Sequence, residues 1–231
     1  MRPWDVIDSA SVPEDDGVLY LLNRGGEWAV HVDDRQLMTN REHGSEVALA
    51  SEACERLHPD HLPTARILVG GMGMGFTLAA ALHRVGPEGM VTVAELVPAV
   101  VEWNRDYKMG KASGYPLKDP RSEVYLGDVG DLIERPPSPW SAILLDVDNG
   151  PNHLTRPNNG WLYQRQGVDA AWDALVPGGV LGIWSATSDP SYTRRLRRKG
   201  FQTDMLHHTE AARPTADGSG THVLWMATRP A

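Results

Sequence analysis

The chain has 231 residues, of which 41% are hydrophobic and 23% are charged, an ordinary balance for a globular protein that excludes wholesale disorder. Its formal net charge of -8 argues against a nucleic-acid backbone as a partner, because such sites need a positive patch. We expect a cytoplasmic protein without membrane contact, because no run approaches the ~20 apolar residues of a transmembrane helix, no signal-peptide pattern is present, and Cys54 is the only cysteine.

Short β-rich runs separated by turn residues fill the first part of the chain, which predicts a small hairpin or meander. These runs cover 18–22, 28–32 and 36–38. A helix is predicted over 45–57, where apolar residues recur at helical spacing. They are Val47, Ala50, Cys54 and Leu57. We therefore expect a small N-terminal β region over 1–44 and a larger domain over 45–231.

Strands and helices alternate from residue 66 onward. Compact apolar runs predict strands over 66–69, 91–94, 124–126, 142–145 and 180–184. Helices are predicted between them over 77–83, 98–107, 168–175 and 192–199. Two last strands are predicted over 201–206 and 222–227. The pattern predicts a doubly wound, Rossmann-like α/β fold with a mostly parallel sheet and a C-terminal antiparallel strand pair.

A glycine-rich loop, Gly70-Gly71-Met72-Gly73-Met74-Gly75, joins the first of these buried strands to a helix. Glycine permits positive φ and lets a ligand approach the backbone closely, so this architecture binds nucleotide-like groups at such a loop. A dinucleotide site favours Gly-x-Gly-x-x-Gly, whereas here the spacing is Gly-x-Gly-x-Gly, as in S-adenosylmethionine enzymes.

Three carboxylates follow three successive predicted strands. They are Glu95, Asp128 and Asp146. All three should lie at the carboxyl edge of the sheet, where open α/β proteins bind ligands, and Glu95 is placed to accept both ribose hydroxyls. Each carboxylate alone could instead cap a helix or a turn. Because all three follow strand ends at the same edge of the sheet as the glycine loop, a ligand site is favoured.

These motifs resemble spermidine-synthase-like members of the class I S-adenosylmethionine-dependent methyltransferase superfamily, over about 18–227. The matching segments are Val32-Asp33-Asp34-Arg35-Gln36, Gly70-Gly71-Met72-Gly73, Val93-Ala94-Glu95-Leu96, Val100-Val101-Glu102, Gly127-Asp128, Leu145-Asp146 and Pro177-Gly178-Gly179-Val180-Leu181. The resemblance implies that Gln36 reaches over the cofactor, that Glu95 holds the ribose and that Asp128 holds the adenine amino group. It also implies that Asp146 lies beside the reacting sulfonium.

The expected cofactor is S-adenosylmethionine or decarboxylated S-adenosylmethionine. Its expected contacts are Gln36, Gly71, Met72, Gly73, Gly75, Glu95, Leu96, Asp128, Val129 and Asp146. No metal is expected, because the neighbouring His207 and His208 have no acidic or histidine partner at ligand spacing.

Two segments depart from the family. Its Asp-Ser-Ser-Asp-Pro-like motif corresponds to Asp146-Val147-Asp148-Asn149-Gly150-Pro151, so the first Asp is kept and Asn149 replaces the second. The family's aromatic-His/Gln-Glu triplet, which helps to clamp the amine, corresponds to Gly44-Ser45-Glu46, where only the Glu is kept. Both departures weaken the expectation of a standard diamine pocket and leave the cofactor site intact.

Transfer from a sulfonium is an in-line displacement, which the enzyme accelerates by positioning the nucleophile. An amine nucleophile also needs a carboxylate to take its proton. Asp146 is the first candidate for this catalytic role and Asp148 the second, although Asp148 could instead cap a loop.

The long polar segment 149–163 should cover the acceptor as a substrate lid. Its candidate acceptor contacts are Asn149, His153, Trp161 and Tyr163. His153 could equally be an exposed loop residue, and Tyr163 a packing residue.

The first functional hypothesis is an S-adenosylmethionine-dependent methyltransferase that acts on a small acceptor. The alternative is a polyamine aminopropyltransferase that uses decarboxylated S-adenosylmethionine. A third hypothesis is a non-catalytic nucleoside-binding homologue, since fold alone does not fix function. The resemblance also hints at a homodimer through the apolar faces of the β region and of the first helix, which the sequence does not separate from core packing.

Overall fold

A four-stranded antiparallel sheet forms the N-terminal part of the protein. The computed structural model describes residues 3–13, 17–33, 35–147, 150–151, 157–209 and 221–231. The strands of this sheet pair in chain order and are β1 (Asp5–Ser11), β2 (Val18–Arg24), β3 (Glu27–Val32) and β4 (Arg35–Thr39). Gly25 and Gly26, with φ of 61° and 94°, make the turn between β2 and β3. The predicted meander is confirmed, and β1 is a strand that the sequence pattern missed.

A seven-stranded sheet forms the larger part of the molecule. Its strands are β5 (Arg66–Gly70), β6 (Met90–Glu95), β7 (Ser122–Leu126), β8 (Trp140–Leu145), β9 (Leu175–Ser185), β10 (Gln202–Thr209) and β11 (Thr221–Thr228). They lie in the order β10-β11-β9-β8-β5-β6-β7. The strands from β5 to β9 are parallel, whereas β11 is antiparallel to both β9 and β10. This confirms the predicted Rossmann-like fold with its antiparallel C-terminal pair.

Helices cover both faces of this sheet. They are α1 (Gly44–Arg56), α2 (Phe76–Arg84), α3 (Pro98–Asp106), α4 (Val129–Glu134), α5 (Arg165–Ala174) and α6 (Pro190–Lys199). The first three contribute to one apolar core and the last three to another. In α1 the buried stripe runs through Leu49, Ala50, Ala53 and Cys54, while Val47 is exposed. The helix was predicted correctly, but Val47 does not belong to its buried face.

One apolar core joins the two sheets. Leu21 and Val30 of the small sheet belong to the same buried cluster as Leu49 of α1 and Val69 of β5. A short connection joins β4, the last strand of the small sheet, to α1, which begins at Gly44. The position of the small sheet is therefore fixed both by this connection and by packing in the shared core. The predicted division of the chain into units at residue 44 stays a prediction. Within the described ranges, no helix is long and apolar enough to cross a membrane.

Candidate functional site

A cleft of about 470 Å³ lies between the small sheet and the carboxyl ends of β5, β6, β7 and β8. The small sheet and the chain around it contribute Val12, Gly17, Leu19, Val30, Val32, Asp33, Arg35, Leu37 and Met38. The opposite wall includes Gly71, Gly73, Ala94, Glu95, Leu96, Val97, Val100, Gly127, Asp128, Val129, Asp146, Val147 and Asn159. The volume is typical of a site for a small organic ligand. Parallel strands bring these residues together because their carboxyl ends share one edge of the sheet.

The glycine loop forms the floor of the cleft. Gly71 has a φ of 87°, and a Cβ at this position would lie 2.5 Å from the backbone oxygen of Asp146. Gly73 also has a positive φ, 48°. Glycine is therefore required at Gly71 both for its conformation and for the close approach of a neighbouring strand end. The result is a stretch of bare backbone that faces the cleft.

Glu95 holds the glycine loop from the end of β6. Its Oε2 accepts a hydrogen bond of 2.9 Å from the backbone nitrogen of Met72, and its Oε1 accepts one of 2.8 Å from that of Val97. Burial raises the pKa of this carboxyl, and backbone hydrogen bonds from Val97, Met72 and Leu96 oppose the rise. An ionised carboxylate can accept about four hydrogen bonds, so capacity for hydroxyl donors in the cleft is left over.

Asp128 caps α4 and also lines the cleft. Its Oδ1 accepts a hydrogen bond of 2.8 Å from the backbone nitrogen of Gly130. The capping role that the sequence left open is therefore present. The same side chain reaches the cleft together with Leu96 and Val129, so capping and ligand contact are compatible in one residue.

Asp146 stands at the end of β8, where the cleft meets a second cavity. Its Oδ2 accepts a hydrogen bond of 2.9 Å from the hydroxyl of Thr77, and its backbone nitrogen donates to the oxygen of Gly70 over 3.0 Å. Burial raises the pKa of Asp146 to about 6, and the Thr77 hydrogen bond acts against that rise. At neutral pH the group is therefore ionised, yet more basic than an ordinary aspartate.

The second cavity is smaller, about 160 Å³, and adjoins the cleft. Both are lined by Leu37, Met38, Gly73, Asp146 and Val147. The remaining wall of the small cavity is formed by Thr39, Glu46, Met72, Met74, Phe76, Thr77 and Trp184. Two carboxylates thus share a space with apolar and aromatic side chains such as Phe76 and Trp184, which suits a cationic occupant with an apolar body.

Comparison with known proteins supports this architecture. No protein-family model matches the chain. Polyamine aminopropyltransferase 2 of Pseudomonas aeruginosa is 28% identical over 173 residues, which cover 70% of this chain and 47% of that protein. The chain therefore spans about half the length of this relative. A crystal structure of spermidine synthase in complex with the transition state analogue AdoDATO has a TM-score of 0.70 at 20% identity, covering 97% of this chain and 72% of that one.

The fold is that of the spermidine synthases. A more distant structural neighbour, the O-methyltransferase from Bacillus cereus in complex with SAH, has a TM-score of 0.53 at 14% identity and covers 80% of both chains. The chain therefore has a spermidine-synthase-like form of the class I S-adenosylmethionine-dependent methyltransferase fold, as its motifs indicated.

This spermidine-synthase-like fold gathers most of the predicted cofactor residues in the cleft. They are Gly71, Gly73, Glu95, Leu96, Asp128, Val129 and Asp146. Met72 lines the small cavity instead, and Gly75, with a φ of 82°, directly precedes α2, where a Cβ would lie 3.0 Å from Pro116. Gln36 is exposed and is not among the residues that line the cleft. Its neighbours Arg35 and Leu37 line the cleft instead.

The predicted acceptor contacts divide into two groups. Asn149 and His153 lie outside the described residues, as does Asp148, the second catalytic candidate. Trp161 packs against α4, where a Cβ at Gly130 would lie 2.5 Å from its ring. Tyr163 is buried, and its ring meets that of Tyr192 edge-on at 5.8 Å. The structure therefore places Tyr163 in the core and Trp161, partly buried, against it, and neither is among the residues that line the two cavities.

Several lining residues were missed by the sequence analysis. Asn159 is 7% exposed and lines the cleft, although it belongs to the segment that was expected to cover the site. Asp33 and Arg35 belong to the family motif over 32–36, but neither was predicted to contact a ligand. Glu46 and Thr77 lie on helices, where sequence spacing alone does not show that they line a cavity together with Asp146. For Glu46, the available signal was the family triplet of which it is the retained member.

Proposed function

We propose that the protein is an aminopropyltransferase that uses decarboxylated S-adenosylmethionine and an amine acceptor. The observation that carries this proposal is the small cavity in which Asp146 and Glu46 both face the space next to the glycine-loop cleft. The similarity to a polyamine aminopropyltransferase and to a spermidine synthase supports it further. Methyl transfer, which the sequence analysis placed first, thereby becomes the second candidate.

The cleft residues fit a nucleoside donor. Bare backbone at Gly71 and Gly73 gives close approach, and Glu95 has capacity to accept hydrogen bonds from the ribose. Asp128 and Val129 are assigned to the adenine. Asn159, which is buried at the same wall, adds an amide that can both donate to and accept from a base edge. When bound, the donor supplies an electrophilic carbon attached to a positively charged sulfur.

The small cavity fits the acceptor. Glu46 and Asp146 attract an ammonium group, while Phe76 and Trp184 contact the hydrocarbon part of the same molecule. Ser45 donates a hydrogen bond of 2.7 Å to Glu46 Oε2, which restricts the orientation of that carboxylate. An acceptor in this cavity meets the cleft at Asp146, which is where the two spaces join.

Asp146 is assigned as the catalytic base. It takes the proton that the acceptor nitrogen loses as a nitrogen–carbon bond replaces the sulfur–carbon bond, whose electron pair stays on sulfur. A pKa of about 6 keeps Asp146 ionised at neutral pH and makes it a stronger base than an ordinary aspartate. Asp148, the second predicted candidate, lies outside the described residues and keeps that role as a proposal.

The second candidate function is methyl transfer from S-adenosylmethionine itself. One observation favours it: Arg35 lines the cleft, and a guanidinium pairs well with the carboxylate that only the unmodified donor carries. The O-methyltransferase among the structural neighbours is consistent with this alternative. Asp33 lines the same part of the cleft, however, and its carboxylate suits the ammonium group that both donors share.

Mass spectrometry of reaction products separates these functions. The protein is incubated with either donor and with a panel of short monoamines and diamines, and the mass added to the acceptor identifies the transferred group. We expect aminopropyl addition from the decarboxylated donor, and far slower addition with Asp146→Asn. Methyl addition from S-adenosylmethionine alone contradicts the first proposal, and donor binding without any product supports a non-catalytic protein.

A further inference from the structure

We propose that Thr77 is a positioning residue that fixes the carboxylate of Asp146 for the acceptor. This inference rests on the proposed role of Asp146 as the base, and it goes beyond that role because it assigns the group that orients and tunes it. The geometry is direct: the Thr77 hydroxyl donates to Asp146 Oδ2 over 2.9 Å, and both side chains line the small cavity.

Asp146 is held from two sides. Its main chain is fixed at the strand end, where its nitrogen donates to Gly70 and its carbonyl oxygen lies against Gly71. Thr77 holds the side chain from α2. In the part of the chain that the structure describes, no other hydrogen bond to the Asp146 carboxylate is present. Thr77 occupies one lone pair of Oδ2, so Oδ1 offers both of its lone pairs to a ligand nitrogen.

Folding alone does not call for a hydroxyl at Thr77. The residue is 4% exposed and lies in the first turn of α2, whose other buried side chains are apolar. A β-branched apolar side chain of the same shape would fill this space, and threonine offers no advantage in helix propensity. A buried hydroxyl is costly unless it is hydrogen-bonded, and here its partner is Asp146.

The hydrogen bond has a consequence for charge as well as for orientation. Burial favours the protonated form of Asp146, and the Thr77 hydroxyl favours the ionised form by donating to it. Loss of the hydroxyl should therefore raise the pKa of Asp146 further, so that less of the base is ionised at neutral pH. A purely structural threonine would leave that titration unchanged.

The test compares Thr77→Val, which removes the hydroxyl but keeps the shape, with Thr77→Ser, which keeps the hydroxyl. Infrared difference spectra across pH report the protonation of buried carboxyl groups, and Asp146→Asn identifies the band of Asp146. We expect the Thr77→Val midpoint to move to higher pH by about one pH unit, the size expected for a lost hydrogen bond to a charged group. Thr77→Ser should titrate like the wild type.

A second variant guards against local distortion by valine. Thr77→Ala lacks the hydroxyl and suits a helix, so its midpoint should move in the same direction as that of Thr77→Val. An unchanged midpoint in the variants without the hydroxyl overturns the proposal, and so does a Thr77→Ser midpoint that follows Thr77→Val. Circular dichroism of each variant verifies the fold.

Turnover gives a separate readout. In Thr77→Val, the acid limb of the pH profile of kcat/KM should shift to higher pH by the same amount as the infrared midpoint. The donor affinity should stay unchanged. The infrared titration uses the free protein, so it distinguishes the two proposals. A shifted midpoint without aminopropyl transfer refutes the proposed function and not the link between Thr77 and Asp146. Transfer with an unmoved midpoint and an unmoved acid limb refutes the role of Thr77.

Discussion

Glu95 and Met72 connect the end of β6 to the glycine loop through a hydrogen bond of 2.9 Å from the Met72 backbone nitrogen to the Glu95 carboxylate. The other carboxylate oxygen accepts from Val97, just before α3 begins. Glu95 therefore shapes the floor of the cleft and holds the entry to the next helix. The same side chain is proposed to accept from the ribose, so structure and binding depend on one buried charge.

Glu95→Gln should weaken donor binding by roughly tenfold or more, about 1.4 kcal/mol. A glutamine has only one acceptor oxygen, so its NH2 group would face one of the two backbone N–H donors. Calorimetric titration with decarboxylated S-adenosylmethionine measures the effect. Glu102→Gln, an exposed change on the neighbouring α3, serves as the matched control. Wild-type affinity in Glu95→Gln would show that this carboxylate does not hold the donor.

Asp146→Asn should lower the rate of transfer by about 10²- to 10⁴-fold, a much larger effect than on the affinity for the decarboxylated donor. In the wild type, activity should fall as the pH drops below about 6, because the base is then protonated. The pH profile of kcat/KM, compared with calorimetric donor binding, measures both effects. Full activity in Asp146→Asn, or a flat profile through pH 6, contradicts the assignment.

The same substitution should stabilise the protein without ligands at pH 7. The pKa of Asp146 is raised from 3.8 to about 6 in the folded state, so the native protein binds more protons than the unfolded chain between these values. The wild type therefore loses stability as the pH rises through this window, by at most about 3 kcal/mol. Thermal unfolding should show a higher midpoint for Asp146→Asn at pH 7 and a shrinking difference toward pH 4. A difference that does not depend on pH contradicts this origin.

Asp8 links the small sheet to α3. Its Oδ2 accepts hydrogen bonds from the Trp103 ring nitrogen over 2.9 Å and from the Tyr107 hydroxyl over 3.4 Å. The Trp103 hydrogen bond is the largest cause that lowers the pKa of Asp8, and hydrogen bonds from the Ser9 backbone and from Tyr107 lower it further. Its stabilising contribution is therefore complete above the unfolded value of 3.8 and is lost as the pH falls through the lower folded value.

Asp8→Asn should therefore cost roughly 1 kcal/mol of unfolding free energy at pH 7 and nothing in strong acid. Chemical denaturation at several pH values measures this difference. Asp5→Asn, an exposed change on the same strand, is the control. Because the small sheet forms one wall of the cleft, we also expect weaker donor binding in Asp8→Asn. Equal stabilities of the two variants would show that this link contributes nothing.

The sequence predicted the elements that parallel-sheet geometry determines. Glu95, Asp128 and Asp146 follow consecutive predicted strands, and strand ends in a parallel sheet share one edge. The cofactor wall was therefore predictable in outline. The missed strand β1 has mostly exposed side chains and no clear alternation, so its pattern carried little signal.

The parts that depend on exact register were not predictable. A β-bulge in the pairing of β3 with β4 falls between Val30 and His31, and it helps to set which side chains of β4 face the cleft. A shift of one residue in the register of β4 would bring Gln36 to the position at the cleft that Arg35 or Leu37 occupies. Likewise, the direction of the turn over 157–163 decides that Asn159 reaches the cleft while Tyr163 enters the core. No local pattern encodes such choices.

Arg35→Ala separates the two donors. If Arg35 pairs with a carboxylate, the substitution should weaken S-adenosylmethionine binding by roughly fivefold or more, as expected for a lost charge-assisted hydrogen bond. Binding of the decarboxylated donor should stay the same, because it offers no carboxylate. Calorimetry with both ligands measures the contrast. Equal losses for both donors would show that Arg35 contacts their shared adenosyl part.

The most direct test of the account is the affinity of the wild-type protein for the two donors. Asp146 and Glu46 face the cavity that adjoins the cleft, and their charges should disfavour a donor carboxylate nearby. Isothermal titration calorimetry should give a Kd for decarboxylated S-adenosylmethionine at least about tenfold lower than that for S-adenosylmethionine, a difference of about 1.4 kcal/mol. Tighter binding of the unmodified donor, or no binding of either, would contradict the proposed aminopropyltransferase.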